Sequence, residues 1–524
     1  MNLDNTGFLF ALDSGLQRAE LLATLQDGWH CHVQHPRAFR RDWYDSFDHR
    51  LYRQGLVLTV SPARAAGTAP ALLQLDLRRL LSAELIAQGF CKQAPAFPTD
   101  LPDGRLRREL CRILKVRALL PLCGMEGEQQ WIDILNKTGK IIARIALERM
   151  QDAALPELAS IHPVRGYDKA ARRLRQLLGE QLQLPPPGSD PIELISASTG
   201  MTLASYSNKP GISIGPEMSA AEASARVLLK MLELMETNEG GVIAEVDTEF
   251  LHDFRIAIRK TRALLVQMRK LFPEPVQRRF RRDFAWLAGV TSRKRDLDVF
   301  LLDFDTKQGL LKPGRRRHLE PLRDYLLLLA RREQLRLKRS LSTKRYQRLK
   351  TDWREFLLQV LEQGLDTRIA RQRIPRPAGK AIWKLYKKVL AEGDAISDIS
   401  PVTELHELRK TCKKLRYLLE NFQTLYPDEA IGSVLSEFKR LQDRLGAITD
   451  LDVQQGFIRA WEDDLKARGA GDDTLTAMDK LIDRLAAAEL VQRDKFQATF
   501  KAFASKQNRR LFKKLFHQRD QVES

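Results

Sequence analysis

The sequence has few cysteines and no long hydrophobic run. Its five cysteines, Cys31, Cys91, Cys111, Cys123 and Cys412, are odd in number and form no close pairs. This is typical of free thiols in a reducing compartment and argues against a disulfide framework. The longest apolar run, residues 325–330, is too short to cross a bilayer. The first residues also lack a basic segment followed by an apolar one, so no signal peptide is indicated. We therefore expect a cytoplasmic protein that has no membrane partner.

Several catalytic motifs are also missing. There is no G-x-S-x-G, no P-loop and no H-E-x-x-H, which argues against a serine hydrolase, a P-loop nucleotidase or a zinc peptidase. The only cluster of His and Cys contains His30, Cys31, His32 and His35. His30 and His32 would share one face of a strand, and two ligands do not complete a zinc site. We expect no metal and no cofactor.

Positive charge is abundant but unevenly distributed. The chain of 524 residues has a net charge of +20. Residues 219–524 contain 61 Lys and Arg against 44 Asp and Glu, a net of +17, and the preceding residues contain 26 against 23, a net of +3. A basic surface of this kind indicates a polyanionic partner, which could be polyphosphate, nucleic acid or an anionic membrane surface.

A long segment of the basic part occurs twice. Residues 251–273 read LHDFRIAIRKTRALLVQMRKLFP, and residues 405–427 read LHELRKTCKKLRYLLENFQTLYP. The offset is 154 residues, and it continues downstream, where the D-L-D-V of residues 296–299 returns at residues 450–453. Upstream, Arg226 and Lys230 fall opposite Lys380 and Lys384. We interpret this pattern as a duplicated helical unit.

The spacing within each copy predicts a helix with a basic stripe. The cations and the histidine of each copy recur at steps of three and four, which places them on one face: His252, Arg255, Arg259 and Arg262 in the first copy, and His406, Arg409, Lys413 and Arg416 in the second. Apolar residues occupy another side. Like charges at these steps repel each other, and the repetition of the stripe favours an anion-binding role over a solvated basic face.

These residues resemble the CHAD domain, the conserved histidine α-helical domain. Its pattern H-x-x-R-x-x-x-[RK]-[RK]-x-R is present at residues 252–262 and 406–416, and R-D-L-D-V is present at residues 295–299. The second copy has Thr449 in place of the arginine. The resemblance covers residues 219–524, with repeats at about 219–370 and 374–524. It implies two pseudo-symmetric four-helix bundles with a basic groove between them that binds inorganic polyphosphate, and an association with polyphosphate granules. On these positions, the expected contacts are His252, Arg255, Arg259, Lys260, Arg262, His406, Arg409, Lys413, Lys414, Arg416, Arg226, Lys230, Lys380, Lys384, Lys387 and Lys388.

Residues 1–205 have a different character. Short apolar segments alternate with turn signals, and residues 131–135 and 141–147 predict a hairpin. We expect an α+β domain with antiparallel strands, joined to the helical part by a linker at residues 206–218. Residues 44–58 are similar to the Y-x-D-T-x-x-x-x-L-x-x-x-G-x-x-L-R motif of the CYTH family, and Arg165, Gly166 and Tyr167 resemble the R-G-Y before its C-terminal helix.

The CYTH resemblance implies an antiparallel β tunnel, and in its catalytic members a metal-dependent triphosphatase with an E-x-E-x-K motif. Hard Mg²⁺ ions require carboxylate ligands, yet residues 7–12 contain no Glu and no Lys, and residues 58–60 lack the expected Arg. Arg117, Asp133 and Glu148 remain but do not make a metal site. We therefore expect a degenerate tunnel domain that is not an enzyme.

Two alternatives remain open. The chain could bind nucleic acid, although the stripes contain no aromatic residue for base stacking. It could also act as a triphosphatase through the N-terminal domain. The carboxylates Asp296, Asp298, Asp450 and Asp452 could indicate a metal pair, but we expect them to lie at helix ends and to pair with nearby arginines.

Overall fold

The computed structural model describes residues 8–12, 15–63, 72–82, 84–152, 155–208 and 211–517. The chain divides into two compact units, Met1–Ser207 and Asn208–Ser524. Among the described helices, none combines the length and the apolar character needed to span a membrane.

The N-terminal unit is built on an antiparallel sheet with the order β1-β9-β8-β7-β3-β4-β5-β6, and β2 pairs with β7. The strands are β1 Leu9–Leu12, β2 Cys31–Val33, β3 Arg37–Asp45, β4 Leu56–Pro62, β5 Leu73–Arg79, β6 Leu85–Cys91, β7 Leu120–Leu135, β8 Ile141–Met150 and β9 Glu157–Pro163. The predicted hairpin is present as β7 and β8. In its turn, the Asn136 carboxamide oxygen accepts from the backbone N–H groups of Thr138 and Lys140. The antiparallel fold class is thus confirmed.

Four helices accompany this sheet: α1 Gly15–Gly28, α2 Arg105–Leu114, α3 Asp168–Gln176 and α4 Pro191–Ser198. Leu21 of α1 and Leu174 of α3 share an apolar core with Ile132 and Ile145 of the sheet. A second core lies under α2 and involves strands β4, β5 and β6. The helical segment that follows the R-G-Y residues is not one continuous α-helix, because α3 is followed by a π-helical turn at Leu177–Gln181.

The C-terminal unit is helical, as the fold class predicts. Its helices are α5 Ala220–Ala244, α6 Thr248–Gln267, α7 Glu274–Leu302, α8 Phe304–Gly309, α9 Pro313–Arg316, α10 Glu320–Leu341, α11 Lys344–Gln363, α12 Pro375–Ala395, α13 Val402–Asn421, α14 Asp428–Ala467, α15 Asp472–Asp494, α16 Phe496–Phe503 and α17 Lys506–Phe516. The starts of α13 and α14 follow those of α6 and α7 at the sequence offset of 154 residues. The repeat seen in sequence is therefore a repeat of helices.

Two features of the helices differ from what the sequence predicts. The Asn-Glu-Gly-Gly segment at residues 238–241 predicts a helix end because it contains two glycines, yet α5 continues to Ala244. Asn238 is buried and donates to the carbonyl of Leu234 at 2.8 Å, and a β-carbon at Gly241 would lie 2.2 Å from the ring of Phe250. Gly241 therefore permits the close packing of α5 against α6. The D-L-D carboxylates also lie inside α7 and α14 rather than at helix ends.

One apolar core joins the two repeats. Leu297 and Phe300 of α7 and Leu322 of α10 lie in the same cluster as Trp461 of α14 and Met478 of α15. The rings of Phe300 and Trp461 meet edge to face, with centroids 4.7 Å apart. This core packs α7 and α10 of the first repeat against α14 and α15 of the second.

Candidate functional site

The two helices that carry the basic stripes, α6 and α13, contact each other. The carboxylate of Asp247 caps α6 by accepting from the backbone N–H groups of Glu249 and Phe250 at 2.9 and 3.3 Å. Helix α13 starts after Pro401, which has no backbone N–H to leave unsatisfied there. The caps set where each helix begins, and the contact between α6 and α13 brings the two repeats together at the stripe helices.

Arg255 is the most deeply placed cation of the first stripe. Its guanidinium donates to neutral acceptors on α7: the carbonyl of Ala288 at 3.1 Å, the hydroxyl of Thr291 at 2.6 Å and the hydroxyl of Ser292 at 3.3 Å. Burial, and then the nearby Arg259, lower the pKa of Arg255 to about 10. The positive charge of Arg255 is thus held in place by hydrogen bonds to groups that carry no charge.

Lys413 links the two stripes electrostatically. Burial lowers the pKa of Lys413 to about 8, and Arg409, Arg259 and Arg255 lower it further by repulsion. Arg409 lies on the same helix as Lys413, whereas Arg255 and Arg259 lie on α6. We call Arg255, Arg259, Arg409 and Lys413 the central cluster. It combines two cations from each repeat.

Carboxylates engage the cations of the second stripe. Arg409 donates to Asp450 at 2.7 Å, and Arg416 donates to Glu420 at 2.6 Å. Arg416 also donates to the carboxamide oxygen of Gln442 at 3.1 Å. In the first stripe, by contrast, the part of the chain that the structure describes places no ion pair on Arg259 or Arg262, and Arg262 is exposed. The two stripes therefore differ in how far their charge is compensated.

The two histidines have different partners. Arg295 Nη2 lies 3.1 Å from Nδ1 of His252. A guanidinium has no acceptor, so Nδ1 accepts and the neutral ring carries its proton on Nε2. His406 instead points Nε2 at the carboxylate of Asp452, at 2.8 Å. Two exchanges in the repeat accompany this difference. Thr449 stands at the position of Arg295, and Ile448 stands at that of Lys294, which pairs with Asp298, the equivalent of Asp452.

Lys260 and Lys414 occupy equivalent positions but differ in their surroundings. Lys260 is buried and pairs with Glu420 of α13 at 3.1 Å. Lys414 is half-buried, and no ion pair joins it to the described residues. Most of the surface of Lys260 is therefore taken up by protein contacts, whereas Lys414 retains surface toward solvent.

The remaining predicted contacts lie on α5 and α12. All six are exposed: Arg226, Lys230, Lys380, Lys384, Lys387 and Lys388. Three of them pair with acids on their own helix, namely Arg226 with Glu222, Lys230 with Glu233 and Lys388 with Glu392. Exposed pairs of this kind contribute little free energy, so these cations remain available to a ligand.

The C-terminal unit matches a known protein family. The family described as the CHAD domain matches residues 226–459, which include both stripes and both D-L-D segments. This part of the chain is a CHAD domain. No curated protein matches the chain.

Several solved structures are similar to parts of this chain. The CHAD domain from the plant Ricinus communis is 22% identical, with a TM-score of 0.48, and the match covers 56% of this chain and 96% of that one. PptA from Streptomyces chartreusis is 15% identical, with a TM-score of 0.40, covering 54% and 99%. A putative adenylyl cyclase from Hippeastrum, described as having a dominant triphosphatase activity, is 12% identical, with a TM-score of 0.27, covering 38% and 98%.

Outside the CHAD domain, the N-terminal sheet carries a polar network. Arg41 donates to both carboxylate oxygens of Glu148, at 2.9 and 2.6 Å, and Gln129 donates to the same carboxylate. Burial acts to raise the pKa of Glu148, but the charge of Arg41 and these hydrogen bonds bring it below its ordinary value. Asp133 is engaged by Arg144 at 2.7 Å and by Gln34 at 2.8 Å. Within the described ranges, no three His, Cys, Asp or Glu side chains approach closely enough to hold a metal ion.

Asp45, a residue of the CYTH-like motif, has a structural role. The carboxylate of Asp45 accepts from the backbone N–H groups of Ser46, Leu51 and Tyr52 at 2.6 to 2.9 Å. Burial raises the pKa of Asp45 to about 6 even though these bonds act to lower it. Asp45 thus organises the turn between β3 and β4. Arg117 is the other residue, besides Asp133 and Glu148, that remains of the CYTH pattern. It is buried and lies 3.4 Å from Asp48. Gly7, part of the predicted first strand, lies outside the described residues.

Proposed function

We propose that the CHAD domain binds inorganic polyphosphate along α6 and α13. The observation that carries the proposal is the central cluster, which brings two cations of α6 next to two of α13. Burial, and then repulsion from Arg409, Arg259 and Arg255, lowers the pKa of Lys413 there to about 8. Such an arrangement costs free energy in the absence of an anion, because the charges repel each other and are partly desolvated. Phosphate oxygens bound to these donors would relieve that cost through charge-assisted hydrogen bonds.

Aromatic residues near the stripes favour polyphosphate over nucleic acid. A binder of single-stranded nucleic acid stacks bases on exposed aromatic rings. Trp383 of α12 stacks on His517 with centroids 5.0 Å apart, and Tyr386 stacks on Phe512 at 3.8 Å. These two rings are therefore engaged with other residues of the domain, and Tyr417 of α13, which lies near Arg255, is half-buried. A chain of bare phosphates needs only cations and hydrogen-bond donors, which is what the stripes offer.

The proposal is tested by reversing charge in the central cluster. Arg259→Glu combined with Lys413→Glu should abolish the binding of polyphosphate, measured by isothermal titration calorimetry at fixed salt. The control is Arg331→Glu combined with Arg332→Glu, which makes the same charge change at two exposed positions of α10. Circular dichroism should show that both variants remain helical. Equal affinity for the wild type and the central variant would contradict the assignment.

Competition distinguishes the ligands. Polyphosphate, single-stranded RNA and heparin are compared at one salt concentration, because polyanion binding depends steeply on salt. We expect polyphosphate to displace both competitors. Displacement of polyphosphate by RNA at similar concentrations would favour the nucleic-acid alternative.

We propose no catalysis for the N-terminal unit. The support is the bidentate pairing of Glu148 with Arg41 and the engagement of Asp133 by Arg144, which leave these carboxylates already bound. Metal-dependent hydrolysis requires carboxylates that are available to a cation.

A further inference from the structure

The two repeats have very different charge. Residues 251–302 contain 13 Lys and Arg against 5 Asp and Glu, a net of +8. The equivalent residues 405–456 contain 8 of each, a net of zero. Each segment covers most of the stripe helix. The first segment also contains all of α7, and the second contains α14 as far as residue 456. The pseudo-symmetry of the fold is therefore not a symmetry of charge.

We propose that polyphosphate lies asymmetrically on the CHAD domain. From the central cluster, the chain would continue over the first repeat, along Arg262 and a second basic surface made by Arg269, Arg278, Arg281 and Arg282. We call these last four residues the first-repeat extension. This inference rests on the proposed function and adds where the polymer runs beyond the central cluster.

The first support comes from the acids that compensate the second stripe. Asp450 binds Arg409, and Asp452 binds His406. Their equivalents in the first repeat do not do this. Asp298 pairs with Lys294, and no hydrogen bond joins Asp296 to a described residue. A phosphate that approaches the second stripe must compete with carboxylates that are hydrogen-bonded to its cations. On Arg259 and Arg262 the described residues place no such bond, although the charge of Asp296 acts on Arg259 from nearby.

The second support comes from a cleft beside Arg416. This cleft has a volume of about 340 Å³ and is lined in part by Gln423, Gly432, Leu435 and Ser436. At the repeat offset, Arg416 corresponds to Arg262. The four other positions correspond to Arg269, Arg278, Arg281 and Arg282. Four positions that border the end of the stripe are thus neutral in the second repeat and arginine in the first, whereas Lys439, which also lines the cleft, corresponds to Ala285.

The charge of the first-repeat extension is only weakly compensated. Arg278 pairs with Glu274, but the two side chains are 77% and 81% exposed, so solvent screens the pair. Asp283 lies 3.7 Å from Arg282 and is shared with Arg279 and Arg345. Arg269 and Arg281 are exposed, and neither forms an ion pair with the residues that the structure covers. The first-repeat extension therefore has a net positive charge that faces solvent.

The test removes the same amount of charge from each repeat. The first variant carries Arg269→Gln, Arg281→Gln and Arg282→Gln. The matched control carries Lys410→Gln, Lys439→Gln and Arg440→Gln, three exposed cations of the second repeat. Affinity is measured for tripolyphosphate and for long-chain polyphosphate. We expect the first variant to lose roughly tenfold in affinity for the long chain, with a shallower salt dependence, because phosphate contacts are lost. Its affinity for tripolyphosphate should be unchanged.

A gain of charge gives a second test. Gly432→Arg combined with Ser436→Arg places arginines at two exposed positions of the second repeat, and the space around Gly432 is open. This variant should bind the long chain more tightly than the wild type. If the two triple variants lose affinity equally, polyphosphate still binds but the asymmetric path is overturned. If the wild type binds no polyphosphate, the proposed function fails and the path fails with it.

Discussion

Lys260 of α6 and Glu420 of α13 form an ion pair between the two repeats, with nitrogen and oxygen 3.1 Å apart. Their side chains are only 6% and 17% exposed. The pair occurs once, because the residue equivalent to Glu420 in the first repeat is Val266. It lies beside the basic stripes and ties together the two helices that carry them.

Removing the cation of this pair should destabilise the domain. In Lys260→Met the Glu420 carboxylate keeps Arg416 at 2.6 Å but loses its buried partner. An uncompensated buried charge typically costs about 3 kcal/mol or more. Chemical denaturation should therefore give a free energy of unfolding lower by roughly 2–3 kcal/mol, the Arg416 contact reducing the loss.

The equivalent change in the other repeat is the control. Lys414→Met removes a half-buried lysine that has no ion pair within the described part of the chain, so its effect should stay within about 0.5 kcal/mol. Combining Lys260→Met with Glu420→Leu should recover much of the lost stability. A loss as large for Lys414→Met as for Lys260→Met would show that the pair has no special role.

Polyphosphate affinity should fall as pH rises above about 8. The pKa of Lys413 is about 8 in the free protein, and bound phosphate would raise it by supplying opposite charge. A group whose pKa is higher in the complex takes up protons on binding, so affinity is greatest below the free pKa and decreases above it. Calorimetry in buffers of different ionisation enthalpy should detect this proton uptake at about pH 8.5.

The matched variant for the pH experiment is Lys413→Arg. An arginine stays protonated throughout this range, so the variant should bind with nearly constant affinity between about pH 7 and pH 9.5. If its affinity falls as steeply as that of the wild type, another group is responsible for the proton uptake.

Neutralising the carboxylate that binds Arg409 should strengthen binding. Asp450→Asn removes the charge that pairs with Arg409 at 2.7 Å, so the arginine becomes free for phosphate. We expect a gain of about threefold to tenfold, which corresponds to roughly 1 kcal/mol. The Asp450 side chain is 58% exposed, so the fold should be retained.

The control is Asp296→Asn, the same substitution at the residue of the first repeat that is equivalent to Asp450. Asp296 is partly buried, and burial raises its pKa although Arg255, Arg259 and Arg295 act to lower it. No hydrogen bond joins it to the described residues, so Asp296→Asn releases no bound arginine and should give a smaller gain. A larger gain for Asp296→Asn than for Asp450→Asn would argue against compensation as the reason for the difference between the stripes.

The repeat made the helical architecture predictable. The apolar face and the helix starts both recur at the constant offset of the repeat. Because of this, α6 and α13 could be placed from the sequence. Local breaker residues were misleading at residues 238–241, because Gly241 is required by the ring of Phe250 and does not end the helix. Helix propensity alone cannot show such a tertiary contact.

The pairing of charges could not be predicted. The spacing shows that Arg255 and Arg409 share a phase, but which acceptor each one reaches depends on the side chains of α7 and α14. Arg295 was visible as part of a motif, and its hydrogen bond to His252 was not. The exchanges of Arg295 for Thr449 and of Lys294 for Ile448 were the signals in the sequence that the two histidines would have different partners.

The protein of 524 residues should not hydrolyse tripolyphosphate with Mg²⁺ or Mn²⁺. The reason is the prior engagement of Glu148 by Arg41 and Gln129. Phosphate release is measured against a Glu148→Gln variant and a heat-inactivated sample. Turnover that is present in the wild type and lost in Glu148→Gln would show that the carboxylate can leave Arg41 to serve a metal.

The core shared by Phe300 and Trp461 bears on how the chain reaches its native state. Because α7 and α10 bury their apolar side chains against α14 and α15, the first repeat lacks part of its packing until the second has left the ribosome. Contacts that join such distant parts of a chain form late and slow the folding reaction. The two repeats are copies in sequence, but each buries part of the apolar surface of the other, so a product that ended after the first repeat would expose apolar side chains of α7 and α10.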